Sequence, residues 1–139
     1  MVDASVAVKW VLSGEPYEEN AVRIKADQVS GIAELCAPSF MVQEVTNAVW
    51  RAIKLRRITQ ESAQKALKTL DDLQVNLYEF NWTEASDELT IASKLDLAIY
   101  DVSYLLLSEK MNAELITADD KMYQKANGHF KVLHLKDYV

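Results

Sequence analysis

Cysteine, histidine, glycine, proline and net positive charge are all scarce in this chain, and each shortage narrows what the protein can be. A single cysteine in 139 residues, Cys36, excludes an internal disulfide. It sits in the apolar run Glu34-Leu35-Cys36-Ala37 and reads as a buried, inert thiol. The two histidines, His129 and His134, have no partner at metal-ligand spacing and read as structural or surface residues. Three glycines and two prolines leave no linker, low-complexity segment or internal repeat. No apolar run approaches the roughly 20 residues of a membrane span. The first residues lack the charged start of a signal peptide. A soluble, cytoplasmic protein without a membrane partner is therefore expected. Fifteen basic residues against 21 acidic give a net charge of −6. That balance argues against binding nucleic acid by charge alone, and leaves room for a local basic patch or for metal ions.

Half of the residues are hydrophobic, enough for one sizeable core, and the length predicts a single domain over residues 1–139. Short apolar runs alternate with longer helical stretches. Strands are expected at Met1–Ala4, Leu35–Ala37, Val75–Phe80, Glu114–Thr117 and Val132–Leu135. Helices are expected over Glu18–Ser30, from a Ser39 cap to about Leu55, from Thr59 through Leu73, over Thr83–Leu95 with Leu89 on its apolar side, from Asp101 through Met111, and over Asp119–Ala126. Strands alternating with helices imply parallel crossovers, hence an α/β fold with a central parallel sheet covered on both faces. Sites in such sheets collect beyond the carboxyl ends of the strands.

Four acids fall at the ends of the apolar segments: Asp3 in MVDASV, Glu44 in FMVQEVTNAVW, Asp101 in AIYDVSYLLL and Asp119 in ELITADD. Carboxylates beside a core are costly to desolvate unless something positive pairs with them. No Lys or Arg adjoins Asp3, Glu44 or Asp101, and Asp119 has only Lys121 two residues on. Each acid alone has an ordinary explanation: Asp3 can end a strand, Asp101 and Asp119 can cap helices, and Glu44 can face outward. The set carries the argument. Acids gathered without a cation repel one another, and a hard divalent cation such as magnesium prefers oxygen ligands. Neighbouring polar residues fall at matching positions. Asn47 is one helical turn after Glu44, Thr117 two residues before Asp119, and Ser5 two after Asp3. Asp120 reads as a solvated neighbour or a cap. Arg51, Lys54, Arg56 and Arg57 form the densest basic cluster, at the end of the Glu44 helix. They suit either RNA phosphates or the helix C-terminus. Lys9 is a weaker candidate for the same role. Trp10, Trp50 and Tyr17 read as ordinary burial.

The segments VDASVAVKW, EVTNAVW and YDVSYLLLSEKMNAELITADDKM, with the closing DYV, resemble the PIN-domain family. More narrowly, they resemble the VapC-type toxins of toxin–antitoxin pairs. The resemblance spans nearly the whole chain and implies a PIN-like three-layer α/β/α sandwich. It implies a magnesium- or manganese-dependent endoribonuclease hydrolysing RNA phosphodiester bonds. The family's acidic quartet falls on Asp3, Glu44, Asp101 and Asp119, as catalytic residues and metal ligands. Ser5, Asn47 and Thr117 fall on its supporting positions. A VapB-like antitoxin covering the site and a homodimer are implied as partners. Two other readings stand beside this one. Another metal-dependent α/β phosphohydrolase of the haloacid-dehalogenase kind would want a second acid two residues after Asp3, where Ser5 stands. A non-catalytic PIN-like RNA-binding module would have little use for an intact quartet.

Overall fold

Two pairs of parallel strands are joined through the first three residues of the chain. The computed structural model describes residues 1–139. Strand β1 (Cys36–Pro38) pairs with β2 (Asn76–Tyr78), and β3 (Leu115–Thr117) with β4 (Val132–His134), both parallel. The Val2 N–H donates to the Cys36 carbonyl at 3.3 Å, the Asp3 N–H to Ile116 at 3.4 Å, and the Ile116 N–H to Met1 at 2.9 Å. Residues 1–3 thus lie between β1 and β3, and the order across the sheet is β2, β1, residues 1–3, β3, β4. The expected first strand is shorter than Met1–Ala4, because Ala4 already opens a helix.

Seven helices complete a three-layer α/β/α sandwich: α1 (Ala4–Ala7), α2 (Glu18–Val29), α3 (Met41–Lys54), α4 (Gln60–Asp71), α5 (Ala85–Leu95), α6 (Ile99–Lys110) and α7 (Asp120–Ala126). Helix α6 is the most buried and packs on both β1 and β3, with Val102, Tyr104, Leu105 and Leu107 inside. It precedes a parallel strand and so runs back against the strand direction. That places its first turn at the carboxyl end of the sheet, where α1, α3 and α7 also begin.

Three local expectations need correction. Ser39 does not cap α3, whose N-cap is Phe40 with no side-chain bond. The Ser39 N–H donates to the Tyr78 carbonyl at 2.8 Å, so Ser39 still belongs to the sheet. Asp101 is the third residue of α6, and the cap is Ala98. On α5 the buried stripe runs through Glu88, Ala92 and Leu95, which leaves Leu89 exposed. Glu88 fits that stripe because Ser103 of α6 donates its hydroxyl to the carboxylate across the helix pair. Thr59, by contrast, caps α4 as expected, accepting the Ser62 N–H at 3.2 Å.

Replacing Ser103 by alanine strands the buried Glu88 carboxyl. A loss of about 1–3 kcal/mol is expected in urea unfolding, while a Ser103→Ala, Glu88→Leu double variant should recover most of it.

Candidate active site

The four acids meet at the carboxyl end of the sheet, each at the start of a helix. Asp3 is the N-cap of α1 and Asp119 the N-cap of α7. Glu44 and Asp101 lie in the first turns of α3 and α6. Helix N-termini carry partial positive charge, so this arrangement offsets part of the repulsion among the acids.

Asp3 is 4% exposed and has the most elaborate surroundings. Its Oδ1 accepts the Ser5 hydroxyl at 2.5 Å and the Val6 N–H at 3.2 Å. The Ser5 oxygen accepts the Ala118 N–H at 2.8 Å and lies 3.4 Å from the Thr117 hydroxyl. Thr117 in turn accepts the Asp119 N–H at 3.0 Å, and Asp119 Oδ1 accepts the Met122 N–H at 2.9 Å. Ser5 and Thr117 therefore stitch the turn after residue 3 to the turn after β3, and hold Asp3 and Asp119 in fixed relation. Burial raises the Asp3 carboxyl to about 6, although the Ser5 and Thr117 hydroxyls and the Val6 N–H pull it down; the Asp119 charge raises it further.

Asp101 is half-buried, and its carboxylate has no hydrogen-bond partner in the chain. Burial raises its pKa first, the Asp119 and Glu44 charges next, and Lys121 opposes them weakly. Asp101 therefore feels the charges of both Asp119 and Glu44. Glu44 is anchored from α6: the Tyr104 hydroxyl donates to its Oε2 at 2.7 Å. Burial, and then the hydrogen bond to Glu44, push the Tyr104 phenol far above its ordinary range, so it stays a donor. Tyr104 was absent from the sequence reading. The signal is that a tyrosine among the apolar residues of a buried helix face needs a partner for its hydroxyl.

No three Asp, Glu, His or Cys side chains converge tightly enough to form a ready-made metal cage. The carboxylates form a looser group, tied together by the effect of the Asp119 charge on Asp3 and of the Asp119 and Glu44 charges on Asp101. The cation nearest in sequence to Asp3 is Lys9, but it is buried and its ammonium lies 4.0 Å from Glu15. Burial lowers its pKa, with Glu15 opposing more than Asp3 does. Lys9 is thus a core residue, not a surface contact for RNA.

Asn47 is exposed one turn along α3 from Glu44, and no hydrogen bond ties it to any of the acids. Arg51, Lys54, Arg56 and Arg57 are all exposed. Arg57 is paired to Glu15 at 2.5 Å, and the Lys54 ammonium sits 5.6 Å from the centre of the Trp50 ring. Trp50 and Tyr17 lie at the surface, contrary to the expectation of burial. Trp10 is half-buried and donates from Nε1 to the Ala21 carbonyl at 2.7 Å. His134 is a core residue as expected, with Nδ1 accepting the Lys136 N–H at 3.1 Å and Tyr17 and Tyr123 edge-on to its ring. Asp120 is exposed beside it. Away from the acids lies an apolar groove of about 490 Å³ lined by Trp10, Met41, Val42, Leu70, Leu73 and Leu77, among others.

An acid ring over the carboxyl edge of a parallel sheet in an α/β/α sandwich defines a class of α/β proteins whose sites form where strands give way to helices. Residues 1–128 match the PIN domain family, and the chain belongs to that family. It is 28% identical over 126 residues to Ribonuclease VapC3 of Pyrobaculum aerophilum, a match covering 90% of this chain and 92% of that protein. The crystal structure of PAE2754 from Pyrobaculum aerophilum superposes with a TM-score of 0.67 at 21% identity, over 97% of this chain and 89% of that one. That likeness speaks to the fold.

The Asp3 environment makes a sharp stability statement. A carboxyl whose folded pKa is raised contributes stability that is full below its unfolded value, near 3.8, and lost as pH rises through about 6. The gap corresponds to on the order of 3 kcal/mol. In metal-free buffer the wild type should lose stability between pH 4 and pH 7 relative to Asp3→Asn. Urea unfolding of both proteins measures this, and parallel pH profiles would reject a buried ionised Asp3.

Proposed function

We propose that the protein is a divalent-metal-dependent endoribonuclease of the VapC type. The observation that carries this reading is the ring of four acids in which Asp3 is buried and Asp101 lacks any hydrogen-bonded partner. The chain's similarity to a named VapC ribonuclease over nine-tenths of its length gives the ring its substrate class. One core cluster drawing on residues from Met1 to Leu135 supports treating residues 1–139 as one PIN-like unit.

The residues fit a magnesium or manganese ion. The donors are carboxylate oxygens, neighbouring acids raise the pKa of Asp3 and Asp101, and Lys121 is the one cation that opposes this at Asp101. Such an ion supplies Lewis-acid stabilisation of a phosphate and lowers the pKa of water. In this reading Asp3, Asp101 and Glu44 hold the cation, directly or through water. Tyr104 keeps Glu44 turned inward, and Ser5 and Thr117 orient Asp3. Asp119 either adds a ligand or takes a proton from the attacking water. Asn47, exposed on the Glu44 helix, is placed to orient the substrate or a water.

The basic cluster belongs to the approach of RNA rather than to the chemistry. Lys54 lies ten residues beyond Glu44 on α3, about 15 Å along the helix axis. Arg51 and Arg56 make no ion pair within the chain, which leaves them for phosphates outside the scissile bond. A VapB-like antitoxin and a homodimer belong to the same reading. The apolar groove between α3, α4 and β2 is a surface that suits a partner chain. No helix is long and apolar enough to cross a membrane.

Two outcomes test the proposal. Manganese or magnesium at neutral pH should raise the melting temperature of the wild type by several degrees, because binding to the folded state alone stabilises it. The rise should be much smaller in Asp101→Asn. In the second test, Asp101→Asn should lose at least 100-fold in metal-dependent RNA cleavage, roughly the scale of losing a main electrostatic contributor, with far-ultraviolet circular dichroism unchanged. Equal cleavage by wild type and variant would refute the assignment.

A further inference from the structure

We propose that Tyr100 is a stacking platform for an RNA base beside the acid ring, a substrate-positioning residue of the site. The inference rests on the ribonuclease reading above.

Tyr100 immediately precedes Asp101 in the first turn of α6. Tyr104 follows one turn later, on the same helix face. Both rings pack against Phe40, with centroid separations of 5.1 Å for Tyr100 and 5.5 Å for Tyr104. Phe40 is braced from the other side by Phe80 at 6.4 Å. Tyr104 points inward and bonds Glu44. Tyr100 therefore stands one turn further out on the face that serves the site, at the edge where the acids lie.

An exposed tyrosine alone carries no information. The contrast between these two does. They share a helix face and an aromatic neighbour, yet Tyr104 is 2% exposed and Tyr100 60%. The Phe40 ring meets Tyr100 edge to face, at an interplanar angle of 62°. Held on one side and open on the other, the Tyr100 ring keeps a free face without filling the core.

The electrostatics near the scissile bond point the same way. Four carboxylates repel a polyanion, and the basic cluster begins at Arg51, about 10 Å from Glu44 along α3, with Lys54 about 15 Å away. Lys121 is the one cation that acts on Asp101. Grip close to the acids must come largely from an uncharged contact. Base–aromatic stacking supplies one, and it is indifferent to the acids. In a duplex the base faces are stacked within the helix and cannot reach a side chain.

The test combines kinetics with binding. Tyr100→Ala and Tyr100→Leu should each raise KM for a short single-stranded RNA on the order of 10-fold, the scale of losing one stacked base, with kcat within about 2-fold. Tyr100→Phe and Tyr100→Trp should keep KM near wild type. The manganese-induced rise in melting temperature should be equal in all five proteins. Anisotropy of a fluorescein-labelled strand in EDTA, where cleavage is stopped, should rank the five in the same order. The same sequence annealed to its complement should bind weakly to all.

Unchanged KM and binding in Tyr100→Ala would overturn the platform while leaving the nuclease reading intact. So would wild-type behaviour in Tyr100→Leu, which would indicate packing instead of stacking. A wild type that binds the strand through Tyr100 but never cleaves it with either metal would sink the nuclease reading and keep the platform.

Discussion

The buried carboxylate of Asp3 is the constraint around which the rest is arranged. It lies at the centre of the sheet, on the short segment that joins the two strand pairs. Desolvation there disfavours its charge, and the protein answers with hydroxyls and an N–H instead of a cation. The Asp3 backbone N–H adds one bond, to the Ile116 carbonyl, to the link between β1 and β3 that Met1 and Val2 also make. The carboxylate's charge costs stability at neutral pH, a cost that a cation from outside the chain would relieve.

The architecture delivers the other acids by one rule. In a parallel sheet every helix that leads into a strand starts where the neighbouring strands end. Helices α1, α3, α6 and α7 therefore open on the same edge, and an acid in each first turn or cap reaches the same space. Two of the four are also structural. Asp3 and Asp119 cap their helices through one oxygen each, which leaves the other oxygen for a ligand. Glu44 and Asp101 are not caps, and Asp101 spends no hydrogen bond within the chain. Capping a helix therefore does not use up either carboxylate, and the ordinary reading of Asp119 as a cap leaves room for the proposed one.

Much of this was legible in the sequence because it depends on periodicity and position. The parallel α/β layout followed from short apolar runs alternating with helical stretches, and the acids stood out as charges without partners. What escaped was set by tertiary contact. The Tyr104 bond to Glu44 and the Ser103 bond to Glu88 each join two different helices, so no local pattern announces them. Ser39 looked like a cap because its backbone bond to Tyr78 crosses from one strand to another, over a separation no local pattern reports. Trp50 and Tyr17 are expected to be buried as aromatics, whereas Trp50 lies on the outer face of α3 and Tyr17 in the turn before α2, and both are exposed.

The central claim is that the acid ring exists to hold a divalent cation. The most direct measurement is an anomalous difference map from crystals of the protein soaked in manganese. A strong peak about 2.1 Å from carboxylate oxygens of Asp3 and Asp101, with Glu44 or Asp119 within reach of its waters, is the expected result. A map with no peak between these side chains, or with manganese bound only elsewhere on the acidic surface, would contradict it.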